Sequence, residues 1–369
     1  MIPLARPYFD ANEHLAVSEV LRSGMVSSGK KVEEFEEMVR RYVGAKYAVA
    51  VSSCTAGIYL ALRNSVDLWD CNVAIPAFTF PAAQECVKHF SGEMAIEHID
   101  VERDTYNIND DHLIERLSKL FETRNEIGAI IPIDQFGMSC NIDMINKSAL
   151  KYANDDTIAV IRDSACALGS EYKGEKVGRR GTCVFSFHGR KIVTTGHGGM
   201  VCTDDEELYE KVLEGRQFGK DKTGKFVSSG LNFQLSDLQA TIGIAQMEKL
   251  DEILRLREEI AHQYWRAITN TNIWTPNNTK THVDSKTNWQ SYIVRLQGVD
   301  RDLVMKRMLE NGVQCQVGSY NWGGKECPVS EELAATALAL PIWAGMSEEM
   351  IEHIVKELET CINNEAIHG

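Results

Sequence analysis

Lys191 lies between an apolar run and a glycine-rich turn, in the segment Cys183-Val184-Phe185-Ser186-Phe187-His188-Gly189-Arg190-Lys191-Ile192-Val193-Thr194-Thr195-Gly196-His197-Gly198-Gly199-Met200. An apolar strand leads into small and polar residues, then a lysine, then glycines. That layout suits an active-site lysine. Tucked at a strand end beside another cation, a lysine loses solvation, so its amine is more easily neutral and nucleophilic. Glycines nearby let the backbone approach a flat ligand closely. A solvated lysine on a surface loop is the competing reading, and the segment alone favours it, because lysine beside glycine is common.

Three outlying positions could complete a site. Asp163 follows the apolar run Ile158 to Ile161, so a carboxylate stands at a strand end. A helix cap is the common fate of such an Asp, yet no clear helix pattern opens there. Thr55 starts a helical pattern, where unpaired N–H groups and the helix dipole favour an anion. A simple N-cap role for Thr55 is compatible with that. Phe80, taken alone, reads as ordinary core packing.

These residues need elements to hold them. Val32 to Val43 reads as a helix, with Phe35, Met38, Val39 and Tyr42 on one face and Gly44 as the stop. Tyr47 to Val51 reads as a strand, followed by a helix through Ile58 to Leu62. Asn72 to Ile75 is a second strand, with a helix near Ala82 to His89. Met94 to Ile99, Ala129 to Ile133 and Thr157 to Ile161 read as buried strands with helical spacers between several of them. The alternation predicts an α/β fold with an open, mainly parallel sheet and helices on both faces. Ligands in such sheets sit at the carboxyl ends of the strands. Leu235 to Tyr264 reads mostly as apolar-periodic helix. After about Ile273 the pattern changes: Trp289 to Leu296 reads as a strand, and Leu303 to Leu309 and Glu348 to Cys361 as helices. A smaller α+β C-terminal domain is expected.

The chain has 369 residues, 44% hydrophobic and 25% charged, ordinary for a globular enzyme. A formal net charge of -14 argues against a nucleic-acid binder. No signal peptide and no run of about 18 apolar residues is visible, so no membrane span is expected. Of the 10 cysteines, no two lie within four residues of each other, so paired-thiolate metal spacing is absent and no metal is expected. Reduced, mostly buried thiols in a cytoplasmic chain are the simpler reading.

The segment around Lys191 resembles the Schiff-base motif of the DegT/DnrJ/StrS sugar aminotransferases, within the fold-type I pyridoxal-phosphate (PLP) enzymes. Their pattern is similar to Ser-Phe-His-x-x-Lys followed by Thr-Thr-Gly-Glu-Gly-Gly. Here Ser186-Phe187-His188, Lys191, Thr194-Thr195-Gly196 and Gly198-Gly199 stand in register. Ser23-Gly24 through Gly29, with Val32 and Phe35-Glu36, resembles the family's N-terminal segment. Ser52-Ser53-Cys54-Thr55-Ala56-Gly57 resembles its phosphate-binding turn. Ile75-Pro76-Ala77-Phe78-Thr79-Phe80 resembles its ring-stacking strand end. Asp163-Ser164-Ala165-Cys166 and Gly230-Leu231-Asn232-Phe233 also match, so the likeness runs from Ser23 to Phe233 in the family's order.

The resemblance implies a large PLP-binding domain over residues 1–250, with its mostly parallel sheet sandwiched by helices, and a smaller domain over 251–369. It implies pyridoxal 5'-phosphate bound covalently to Lys191, with Asp163 facing the pyridine nitrogen, where a protonated ring is the better electron sink. Thr55 and Ser186 would hold the phosphate, Cys54 would touch the cofactor, and Phe80 would stack on the ring. Asn232 would cross a homodimer interface to the partner's phosphate, giving shared active sites. Ser28, His188, Tyr320 and Trp322 fall on the expected substrate side.

The implied reaction moves an amino group, with glutamate as donor, onto the keto group of a nucleotide-linked deoxysugar. Lysine, and not the histidine of the family's sugar dehydratases, favours transamination. A cyclitol or other keto acceptor, or a non-catalytic regulator, are the alternatives. The chain departs from the pattern at Cys166, where Gln or His is expected beside the cofactor's phenolate. It departs also at His197 in place of Glu, at Gln234 in place of Arg or Lys, and in the short stretch Gly312 to Pro328.

Overall fold

The computed structural model describes residues 1–65, 71–91, 96–123, 127–153, 157–276 and 285–366. Short, mostly apolar runs become the strands of the main sheet. They are β1 (Tyr47–Val51), β2 (Asn72–Pro76), β3 (Ile96–Ile99), β4 (Ile127–Ile130), β5 (Ala159–Asp163), β6 (Thr182–Ser186) and β7 (Gly199–Thr203). Their spatial order is β1-β7-β6-β5-β4-β2-β3. Every pairing is parallel except the two made by β7, which runs against its neighbours. The expected strand beginning at Met94 is described only from Ile96; Met94 and Ala95 lie outside the described residues.

Alternation along the strands builds two cores. Ala48 and Ala50 of β1, with Phe185 and Met200, meet the helix α2 (Lys30–Val43) through Val32, Phe35, Val39 and Val43. Val49 and Val51, with Val184 and Val201, meet the helix α3 (Cys54–Ser65) on the opposite face. Side chains that point to opposite faces at every step produce this division. Helix α2 ends at Gly44, whose φ of 78° is a left-handed conformation that glycine adopts without strain.

The region Leu235 to Tyr264 is two helices, Asp237–Met247 and Leu250–Ala267, interrupted at Glu248 and Lys249. Ser236 caps the first in a reciprocal box with Gln239. The second helix spans two cores: Leu250 and Ile253 pack with α2, whereas Ile260, Ala261 and Tyr264 pack with the C-terminal sheet. That sheet is antiparallel: β8 (Ile273–Trp274), β9 (Tyr292–Leu296), β10 (Gln316–Val317) and β11 (Ala337–Leu340), in the order β8-β9-β11-β10. The chain's first residues also lie against this part: the Ile2 N–H donates to the Gly312 carbonyl (2.7 Å), and the Ile342 N–H to the Leu4 carbonyl (3.2 Å).

A second link bridges the two sheets. Tyr320–Asn321 pairs antiparallel with Phe78–Thr79, and the Trp322 indole N–H donates to the Thr79 carbonyl at 3.0 Å. The link holds Tyr320 over the carboxyl end of β2. It was not visible locally in the sequence, because its two halves are about 240 residues apart.

Candidate active site

The carboxyl ends of β1, β2, β5 and β6 open on one cavity of about 350 Å³. This is within the usual range for a small-molecule site. Cys54, Thr55, Phe80, Asp163, Cys166, Ser186, His188, Lys191 and Tyr320 all line it. The structure therefore brings together most of the residues singled out in the sequence. Ser28 is exposed beside the start of α2 and does not line the cavity, nor do Trp322 and Asn232 of the same chain.

Helix α3 supplies the anion-binding end. Ser53 Oγ accepts the Ala56 N–H (3.1 Å), and the Ser53 carbonyl accepts the Gly57 N–H (3.1 Å). The first N–H groups of a helix lack intrahelical partners, so those of Cys54 and Thr55 remain for a ligand. The packing beneath is close: a Cβ on Gly199 would stand 2.5 Å from the Ser53 carbonyl, so only glycine lets β7 pass under this turn. Ser186 ends β6 at the same cavity wall, and its Oγ accepts the His188 N–H at 3.3 Å.

Asp163 ends β5 and is buried. Its hydrogen bonds, from the Ala165 N–H (3.0 Å) and the Cys54 thiol (3.7 Å), both use Oδ1. The first is a local turn contact; no helix follows Asp163, so it does not act as the helix cap that the sequence also allowed. No Lys or Arg ion-pairs with it among the described residues. Burial accordingly pushes its carboxyl above the usual range, against the Ala165 N–H and the positive charge of Lys191. Burial, then the charge of Asp163, pushes the Cys54 thiol well up, so it stays neutral and donates. Beneath, the buried Arg162–Asp134 pair (2.7 Å) is tied to Ser164 and Ser139 and stiffens the turn after β5.

Lys191 donates to Cys166 Sγ at 2.9 Å. The Cys166 carbonyl accepts from Asn288 Nδ2 (2.8 Å), which fixes the turn that carries the thiol. The sequence suggested an amine made neutral by a neighbouring cation, and the structure corrects this. Burial is the largest influence and does pull the ammonium down. Cys166, Asp163 and Cys54 together outweigh it and hold Lys191 above its ordinary value. The free lysine is thus a cation bonded to the Cys166 sulfur and influenced by the Asp163 charge without an ion pair.

Phe80 is 59% exposed although it follows a buried strand end, which removes the core-packing reading. Its ring is free to cover a flat ligand in the cavity that it lines. Sequence reasoning missed Gln290 and Gln316, which reach the cavity from the C-terminal part. Gln290 accepts the Ile192 N–H (3.1 Å) and donates to the Arg190 carbonyl (2.9 Å), so it holds both sides of Lys191. No local motif marks a glutamine that acts a hundred residues away. Arg190 and His197 also line the cavity.

The residues present fit PLP. A helix terminus with free N–H groups and nearby hydroxyls suits a phosphate. A buried carboxylate without a cationic partner suits a protonated pyridine nitrogen, an exposed aromatic ring suits stacking, and a lysine stands between them.

Comparison with known proteins agrees with this geometry. The family model for the DegT/DnrJ/EryC1/StrS aminotransferases matches residues 7–359. An uncharacterized protein of Methanocaldococcus jannaschii is 30% identical over 393 residues, covering 98% of each chain. GDP-perosamine synthase of Caulobacter vibrioides is 30% identical over 377 residues, covering 97% of each. A putative sugar aminotransferase from Streptococcus pneumoniae has the same fold, with a TM-score of 0.91 at 23% identity, over 100% of this chain and 99% of that one. Its structures include forms named for PLP and for pyridoxamine phosphate (PMP). With a family model spanning nearly the whole chain and relatives aligned end to end, this protein belongs to the DegT/DnrJ/EryC1/StrS aminotransferase family.

Proposed function

We propose that the protein binds PLP and transfers an amino group from glutamate to the keto group of a nucleotide-linked deoxysugar. The observation that carries this reading is the convergence of Lys191, Asp163 and the free end of α3 on one cavity. A relative that makes a GDP-linked amino sugar supports the acceptor class.

The bound cofactor would supply an electron sink for breaking the bond to hydrogen at the carbon that carries the amine. The chain's own residues do the rest. Thr55, Ser186 and the N–H groups of Cys54 and Thr55 hold the phosphate. Asp163 holds a proton on the ring nitrogen. Phe80 covers the ring face and limits water. Lys191 would hold the cofactor, and its amine, lining the same cavity, would serve as the acid–base group that takes and returns the substrate proton. Screening keto-sugar nucleotides against the PMP form tests the acceptor: the expected result is return of the aldehyde absorbance with a nucleotide-linked keto sugar. Return only with keto acids or cyclitols would overturn the sugar assignment.

We also propose a homodimer with shared sites. Asn232 is exposed, and its Oδ1 accepts only from its neighbour Gln234 (3.4 and 3.3 Å) among the described residues. It stands in a stretch whose apolar side chains Phe226, Val227 and Leu231 are 70, 56 and 50% exposed. A partner surface would cover them. An amide bonded to the partner's phosphate is worth about 1.5–3 kcal/mol, so Asn232→Ala should weaken cofactor binding roughly tenfold to a hundredfold. Mixing Lys191→Ala with Asn232→Ala subunits, under exchange and at limiting PLP, separates the geometries. If Asn232 acts in trans, each mixed dimer has one doubly defective site and one intact site, and activity reappears. If it acts in its own subunit, mixing restores nothing.

A further inference from the structure

The cavity is positive in a protein that is strongly negative. The chain carries 53 acidic against 39 basic residues, yet Asp163 is the one carboxylate among the residues that line the cavity. Arg190, Lys191, His188 and His197 line it as well. Under the aminotransferase reading Asp163 and Lys191 are both engaged by the cofactor. Arg190 is then a cation with no assigned task.

Arg190 is also held unusually well for an exposed side chain. Its guanidinium donates to Gln316 Oε1 at 2.5 Å, and its carbonyl accepts from Gln290 Nε2 at 2.9 Å. Its N–H donates to His188 Nδ1 at 3.3 Å. Gln316 is neutral, and no acid ion-pairs with Arg190 among the described residues. One Nη is thus pinned by an uncharged acceptor, and the rest of the fork is left for an anion. With Nδ1 accepting, the neutral His188 ring carries its proton on Nε2 and is a further donor. The His197 ring lies edge-on to it, with 5.1 Å between centroids. The His197 carbonyl is fixed by Thr195 Oγ1 and Gln239 Nε2, both at 2.8 Å.

We propose that Arg190, with His188 and His197 beside it, forms a carboxylate-binding site on the cavity wall, taking a carboxylate of the amino donor or of the keto acceptor. Arg presents paired N–H groups in a plane that matches a carboxylate and gives charge-assisted bonds to it. Local electrostatics agree: burial first, then Arg190, His197 and Lys191, press the His188 imidazole below its ordinary value, which marks positive potential that no acid offsets. Which substrate brings the carboxylate rests on the aminotransferase reading. The existence of the site does not.

Two measurements on the holoenzyme test it, with the cofactor absorbance as a check on occupancy. The first is calorimetric titration with glutarate, an unreactive dicarboxylate, against neutral glutaramide. The wild-type protein should prefer glutarate. Arg190→Gln should weaken glutarate binding roughly tenfold to a hundredfold, and Arg190→Lys should restore part of it. The second follows each half-reaction by absorbance. If the donor supplies the carboxylate, Arg190→Gln raises the half-saturating concentration of glutamate by the same factor and leaves the keto-sugar half-reaction alone. If the acceptor supplies it, the loss appears only with a keto sugar that bears a carboxylate and not with its carboxylate-free counterpart. Unchanged glutarate binding in Arg190→Gln overturns the proposal, as does an equal loss with both keto sugars. A wild-type protein that performs neither half-reaction overturns the aminotransferase reading instead, and the glutarate titration still decides the site.

Discussion

Lys191→Ala should end amino transfer while the protein still takes up PLP. The helix end at Cys54 and Thr55, Ser186, Asp163 and Phe80 are untouched by the change, and they supply the contacts to phosphate, ring nitrogen and ring face. What is lost is the one amine placed both to bind the cofactor covalently and to carry a proton between carbons. Removing a positioned acid–base group alone costs about 10²–10⁴-fold, and here the attachment goes too. The expected result is a cofactor held without a covalent bond and turnover lowered by at least about 10³-fold. Borohydride treatment of the wild-type protein should leave the reduced cofactor on the peptide that contains Lys191. Lys176 and Lys220 are the controls. Lys176 is paired with Glu171 at 2.8 Å, Lys220 lies over the Phe226 ring, and neither lines the cavity. Cofactor recovered on either peptide would remove Lys191 from the mechanism.

The substitution should also change how Cys166 behaves. Lys191 Nζ is the hydrogen-bond donor to its sulfur at 2.9 Å. The sequence placed Cys166 beside the cofactor's phenolate by resemblance alone. The structure adds the contact with the lysine, which no spacing could have indicated, since the two residues are on separate turns.

That difference is typical of what could and could not be read from the chain. Most strands of the parallel sheet were legible because they are short, largely apolar and largely buried runs with glycine or polar residues near their ends. Helix α2 was legible because its apolar residues keep a helical period and Gly44 stops it. Asp163, Thr55 and Ser186 were legible because strand ends and helix starts are local features. Strand β7 was not: Gly199 to Thr203 follows a glycine-rich turn, and nothing in five residues says that it runs against its neighbours. The break between Met247 and Leu250 was hidden too, because the apolar period continues across it. Gln290, Gln316 and the pairing of Tyr320 with Thr79 depend on the approach of the C-terminal sheet. They are long-range facts with no local signature.

Asp163→Asn separates the chemical role of this residue from a structural one, because the two roles predict opposite changes in stability. Asparagine keeps an oxygen to accept the Ala165 N–H and the Cys54 thiol, so the turn after β5 should persist. Burial raises the Asp163 carboxyl above the usual range, and the Ala165 bond and Lys191 only partly offset this. A carboxyl whose folded pKa is raised binds its proton more tightly in the folded than in the unfolded chain. Its contribution to stability is therefore favourable at low pH and is lost as pH rises through the folded pKa. At neutral pH, above the ordinary aspartate range, burying Asp163 therefore weakens the cofactor-free protein. Asp163→Asn should then melt no lower than wild type without cofactor at pH 7, and the advantage should vanish below the ordinary aspartate pKa of about 3.9. With PLP the order should invert. The carboxylate's charge is what keeps a proton on the pyridine nitrogen, and the amide cannot supply it. The stabilisation gained on adding PLP should be smaller in Asp163→Asn, and turnover should fall by about 10²-fold or more. Thermal melts with and without PLP, set beside the rate, read both halves. A variant that melts well below wild type without cofactor yet keeps a near-normal rate would make Asp163 a cap for the turn after β5 and nothing more.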